Sequence, residues 1–170
     1  MRKILFGLLG LVLLLVVIIY ALGPKAPIAH LNPSIPSVQS NLNELEQEIF
    51  NSEKKIENIR PDNEARIVWN DENNKTKTPY SLVYLHGFSA SQGEGAPMHR
   101  EFAERYGCNL YLARLYGHGI RQEGAMAAIT PEKLLESAKR AIAIGQQIGC
   151  LLYTSPSPRD RTRSRMPSSA

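Results

Sequence analysis

Cysteine is scarce: Cys108 and Cys150 are the only two in 170 residues. They are too few and too far apart for a disulfide framework or a Cys/His metal site. The four histidines, His30, His86, His99 and His118, pair with no second histidine or carboxylate at a spacing typical of zinc, so no metal is expected, and no cofactor. Net charge is scarce as well. Of the formal +4, +3 comes from Arg159, Arg161, Arg163 and Arg165 set against Asp160, and the rest of the chain is close to neutral. That removes the electrostatic case for a nucleic-acid partner. Aspartate is missing between Asp71 and Asp160, and Gly-x-Ser-x-Gly occurs nowhere. Both gaps count against a complete nucleophile, base and acid set within this chain.

Long apolar stretches are limited to one. Ile4 to Leu22 carries no charge, and at about 1.5 Å per residue it nearly matches a hydrocarbon core of about 30 Å. A single transmembrane helix is therefore expected. A cleaved signal peptide is the rival, disfavoured because the run is long and Pro24 follows Ala21-Leu22-Gly23 at once. Arg2 and Lys3 precede the span, so the positive-inside rule predicts a cytoplasmic N-terminus, a single-pass protein of the inner membrane, and the bulk of the chain on the extracytoplasmic side.

The organisation expected beyond residues 1–23 is a Pro-rich linker over 24–40, an amphipathic helix over 41–60, an α/β domain over 61–149 and a tail over 150–170. In the helix, Leu42, Leu45, Ile49, Ile56 and Ile59 recur at spacings of three and four with Ser52 at the missing step. That stripe either packs on the following domain or, through residues 42–59, meets a protein partner. Arg66 to Trp69 reads as a short strand, with Trp69 packing into the core. Tyr80 to Leu85 is an apolar, β-rich run that stops at His86-Gly87, as a strand buried on both faces does. Pro97 to Tyr106 reads as a helix closed by Gly107, with Met98, Phe102 and Tyr106 on its stripe. Asn109 to Leu112 is the next strand. Thr130 can cap and Pro131 can open a last helix, lined by Leu134, Leu135, Ala138, Ala141, Ile142 and Ile148. Alternating strands and helices imply parallel βαβ units.

Two motifs, VYLHGFSAS at Val83 to Ser91 and NLYLARLYGHG at Asn109 to Gly119, resemble the α/β-hydrolase family over roughly Ile67 to Gly149. In that family a His-Gly after the third strand opens the oxyanion loop, and a Gly-His-Gly turn follows the fourth. The fold the resemblance implies is an incomplete α/β-hydrolase fold, the start of a parallel sheet up to before the nucleophile elbow, preceded by one transmembrane helix. The function it implies is serine-type hydrolysis of a carboxylic ester or related small acyl substrate by the intact parent. Acyl transfer places negative charge on a carbonyl oxygen, and preorganised N–H groups must meet it. By resemblance the N–H of Phe88 is one such donor, Gly87 allows the turn, and His86 braces the loop. Ser89 and Glu94 belong to a cleft loop. Ser89 and Ser91 are poor nucleophiles, because Ser91 stands where an elbow needs its second glycine. Gly93-Glu94-Gly95 has no third glycine and is not a phosphate cradle.

Cys150 to Ala170 shows no strand signal and no apolar periodicity. It resembles an in-frame translation of a transposase-type sequencing adapter, over Cys150 to Asp160 and again over Ser164 to Ala170. The tail is thus expected to be foreign, and the chain to be an inactive front fragment lacking nucleophile, acid and base. The alternative is a non-catalytic membrane-tethered interaction module on a hydrolase-like scaffold.

Overall fold

The computed structural model describes residues 2–23 and 29–155, and the chain divides into two units, residues 1–30 and 31–170. The first unit holds helix α1, Arg2–Leu22, whose large apolar side chains are exposed. Within it, Phe6–Leu22 are the residues with described side chains. Among the described residues no helix is long and apolar enough to cross a membrane. This finding corrects the transmembrane helix read over Ile4 to Leu22.

The second unit is a small α/β domain. Its strands are β1 (Arg66–Val68), β2 (Thr78–Tyr84), β3 (Asn109–Leu112) and β4 (Gly149–Ser155), and its helices are α2 (Leu42–Lys54), α3 (Met98–Tyr106) and α4 (Pro131–Ile148). The sheet order is β1-β3-β2-β4, with β2 parallel to β3 and β4, and β1 antiparallel to β3. The sheet is therefore mixed, which corrects the parallel-sheet start of an incomplete α/β-hydrolase fold. The cause is the link from β1 to β2. Residues 69–77 contain no helix and are too few for the crossover of about a dozen residues that a parallel return needs. A short turn reverses the chain, so β1 opposes the direction of β2 and β3.

Alternation along β2 and β3 sends side chains to two cores. Val83 and Tyr111 face α2 and α4, together with Leu45, Ile49, Ile67, Trp69, Ile144 and Ile148. Leu82, Tyr84, Leu110 and Leu112 face α3, together with Ala103 and Cys108. Because both faces are covered, these strands are continuous apolar runs. β4 lies beside β2 over Gly149–Ser155, a stretch in which no strand was expected; residues 156–170 of the tail lie outside the described residues.

Each helix departs from the sequence reading in a definite way. α2 is capped by Asn41, whose Oδ1 accepts from the Asn43 and Glu44 N–H groups (3.0 and 3.2 Å). It ends at Lys54, so Ile56 and Ile59 lie beyond it. Leu45 and Ile49 are buried in the domain's own core. α3 buries His99 and Ala103, leaving Met98 and Tyr106 mostly exposed, because the face toward the sheet lies one step around from the expected stripe. Gly107, with φ +60, closes α3 in the left-handed region. In α4, Thr130 caps and Pro131 opens as expected, but Ala141, Ala143, Ile144, Gly145 and Ile148 are buried rather than Leu134 and Leu135. Small residues there let α4 approach the sheet closely.

Residues 32–40 are not a free tether. The Lys139 ammonium donates to the Asn32 carbonyl (2.9 Å), the Gln147 amide donates to the Ser40 carbonyl (2.8 Å), and Val38 packs on the core. At the amino ends of the strands, buried Asn109 is fully engaged. Its Nδ2 donates to the carbonyls of Thr76 (2.8 Å) and Ile148 (2.9 Å), its Oδ1 accepts from the Asn70 N–H (3.0 Å), and its own N–H donates to Thr78 Oγ1 (3.0 Å).

Candidate active site

Both motif loops leave the carboxyl ends of adjacent parallel strands, the edge where open α/β sheets bind their ligands. The loop after β2 runs from Leu85 to a 3₁₀ turn at Gln92–Gly95, and the loop after β3 contains Gly117-His118-Gly119. His86 joins them. The Leu115 N–H can only donate, and it reaches His86 Nε2 at 3.1 Å, so the ring proton sits on Nδ1, which donates to the Gly87 carbonyl at 3.0 Å. Burial pushes His86 below the ordinary imidazole range, with the Gly87 carbonyl opposing and His118 adding to the push. With both nitrogens occupied and the charged form disfavoured, His86 is a neutral strut and has no free lone pair to act as a base.

The loop after β2 is clamped by Glu94, whose Oε2 accepts from the Gly87 N–H at 2.9 Å. The Gly87 carbonyl also accepts from the Ala90 N–H at 3.1 Å. Between these fixed points the Phe88 N–H makes no hydrogen bond among the described residues. The Phe88 ring is mostly exposed and rests edge-on against His118, centroids 5.5 Å apart. Ser89 holds φ +62, a conformation that costs a non-glycine residue of order 1–2 kcal/mol. Ser91 Oγ caps the 3₁₀ turn by accepting from the Gly93 N–H (3.4 Å).

The Gly-His-Gly turn needs its glycines. Gly117 and Gly119 have φ +74 and +72, and a Cβ on Gly117 would meet Ile129 Cγ1 at 2.6 Å. His118 is buried; its Nδ1 donates to the Tyr116 carbonyl (2.8 Å), and Nε2 has no partner among the described residues. The turn is tied down from a distant segment. The Arg60 N–H donates to the Gly119 carbonyl (2.8 Å), the Arg121 N–H donates to the Asn58 carbonyl (2.7 Å), and Ile59 bridges Ile120. Arg114 adds a buried ion pair to Glu53 of α2 at 2.7 Å while donating to the His118 carbonyl at 3.3 Å.

The structure thus brings His86, Gly87, Phe88, Ser89 and Glu94 into one loop system. A cavity of about 200 Å³ lies between that system and the Gly-His-Gly turn, lined by Arg60, Asn63, Ser89, Ser91, His118 and Met126 among others. Ser89 and His118 line the same cavity, but no hydrogen bond joins them, so no activated serine is formed among the described residues. The contribution of Arg60 and Asn63 carried no signal in the sequence, since they reach the site through pairing across some sixty positions. The Glu94 clamp had no signal either. No group of three or more His, Cys, Asp or Glu among the described residues could hold a metal ion. Compared with protein-family models and with curated proteins, the chain matches none.

Proposed function

We propose that the chain carries the oxyanion-binding front of a serine-type acyl hydrolase, with the Phe88 N–H as one donor, and that the intact parent supplies nucleophile, acid and base. The carrying observation is the double tether of Gly87, the residue before Phe88. His86 Nδ1 holds its carbonyl and Glu94 Oε2 holds its N–H, while the next N–H, that of Phe88, has no partner among the described residues. A donor held rigid before charge develops is the costly element of transition-state stabilisation, and removing one such donor typically slows acyl transfer about 10²- to 10³-fold. The substrate class that fits is a carboxylic ester or related acyl compound. The interaction-module reading is less favoured, because the apolar stripe of α2 at Leu45 and Ile49 is buried in the domain itself.

Amplifying the locus across Gly149 and exposing the intact product to a fluorophosphonate probe tests the proposal. The expected results are a Gly-x-Ser-x-Gly soon after the codon for Gly149, labelling of the intact protein, and loss of label when that serine becomes alanine. This chain itself should not be labelled. An intact frame with no such serine, or label on Ser89 or Ser91 here, overturns the reading.

A further inference from the structure

A second cavity of about 180 Å³ adjoins the first. It is lined by Asp62, Asn63, Arg66, Gln92, His99 and Arg100 among others, and Asn63 lines both. The two cavities together gather Arg60, Arg66 and Arg100 against the single carboxylate of Asp62. The excess is local. Residues 29–155 contain thirteen Lys and Arg but fifteen Asp and Glu, so three guanidiniums meeting one carboxylate is the reverse of the domain's balance.

Position adds to charge. Arg66 opens β1 opposite Leu112, at the carboxyl end of β3, and Arg100 lies in the first turn of α3, so both stand at the ligand-binding edge of the sheet. The amino end of α3 has no side-chain cap, since Pro97 stands at that position; the Arg100 and Glu101 N–H groups bond the Pro97 carbonyl, and the helix dipole there, beside Glu101 in the first turn, favours an anion. His99, 5% exposed, borders the second cavity. Its Nε2 bonds the Gln92 carbonyl (2.9 Å), and its Nδ1 has no partner among the described residues. Burial holds His99 below the usual imidazole range, and Arg100 and Arg66 both push the same way against the Gln92 bond. Arg66 is held toward Asp62 at 2.9 Å, but that carboxylate is 87% exposed, and such a pair is readily exchanged for a better anion.

We propose that these adjoining cavities form a subsite for an oxyanion group, a carboxylate or phosphate, held by Arg60, Arg66 and Arg100 around Asn63. That the group belongs to an acyl substrate rests on the proposed function; that the site binds an anion does not. An arginine alone on a surface is ordinarily just solvated. Three lining two adjoining concave sites beside an uncapped helix end make charge-assisted, bidentate recognition of such a group the natural use.

Amide-resolved NMR titration of the whole chain with sodium phosphate, and separately with sodium acetate, tests this at constant ionic strength set by chloride. Saturable shifts centred on Asn63, Arg66, His99 and Arg100 are expected with at least one of the two anions, and which one saturates first separates phosphate from carboxylate. Arg100→Gln should weaken binding about tenfold, the scale of one charge-assisted hydrogen bond. Asp62→Asn should tighten it severalfold, since asparagine accepts the positive φ of that position. Non-saturating shifts with both anions, shifts centred elsewhere, or an Asp62→Asn variant that binds more weakly overturn the subsite. Anion binding in a parent that resists the fluorophosphonate would leave the subsite standing and remove the hydrolase, and the converse result would do the opposite.

Discussion

Removing the Glu53 carboxylate should destabilise this domain strongly. The side chains of Glu53 and Arg114 are 11% and 8% exposed, and the pair is two-pronged, with Arg114 Nε and Nη2 donating at 2.7 and 3.1 Å. Glu53 Oε2 also accepts the buried Ala65 N–H at 3.0 Å. In Glu53→Ala a guanidinium is left unpaired inside the protein, which costs about 3–5 kcal/mol, and an amide is orphaned, which adds up to about 1–3 kcal/mol. Partial escape of Arg114 to water offsets some of this, and about 4 kcal/mol is the expected loss. With a urea slope of about 1.5 kcal/mol/M, the midpoint falls by about 2.5 M. Glu53→Gln keeps the shape and the Ala65 bond and should lose about half as much. Replacing both partners with apolar residues, Glu53→Leu with Arg114→Met, should restore most of the stability, because burying a charge pair offers little over burying hydrocarbon. Urea melts arranged as a double-mutant cycle check this. A loss below about 1 kcal/mol in Glu53→Ala, or single losses that simply add in the double variant, would refute the reasoning.

Three further outcomes are expected. His86 and His99 both have folded-state values below the usual 6.5, so the unfolded chain takes up their protons first; the stability they contribute is complete above about pH 6.5 and is lost as pH falls below it. Urea midpoints between pH 7.5 and 5 should show that slope, and it should flatten in His86→Gln and His99→Gln. Gly117→Ala should destabilise the domain by about 2 kcal/mol or more, from the left-handed conformation and the Ile129 contact together, measured by the same melts. A thiol reagent should titrate one cysteine in the native chain and two in urea, because burial closes off Cys108 and raises its thiol while Cys150 is exposed.

The strands and loops at the centre were legible in the sequence because local causes dictate them. Tyr80 to Leu85 and Asn109 to Leu112 are short apolar runs cut off by glycine-containing loops, and Thr130-Pro131 is a helix start in any context. Helix faces were less legible. Choosing the most apolar stripe placed Met98 and Tyr106 inward on α3, whereas the sheet receives His99 and Ala103, whose burial depends on packing and hydrogen bonding rather than on residue type. The direction of β1 depended on which strand it joins, a non-local fact that Arg66 to Val68 cannot express. The apolar run of α1 was plain in the sequence, but among the described residues no helix is long and apolar enough to cross a membrane. In the site, His86, Gly87 and Phe88 were visible because a motif marks them. Arg60 and Asn63 were not, because no periodicity links them to the loops they border; Glu94 was read into the cleft loop, but its bond to the Gly87 N–H had no signal.

The hub at Asn109 has a consequence for how the chain finds its fold. Its side-chain partners are 33, 39 and 39 positions away, so the amide cannot be satisfied until three separate segments have arrived. Before then it is a buried polar group in search of water, and collapse around it is resisted. A slip of β3 by one residue would put Leu110 in its place and strand the carbonyls of Thr76 and Ile148 without a donor. Asn109 therefore acts as a proofreader of assembly: the hydrophobic strands supply the drive to condense, and this one amide rejects the misaligned condensates.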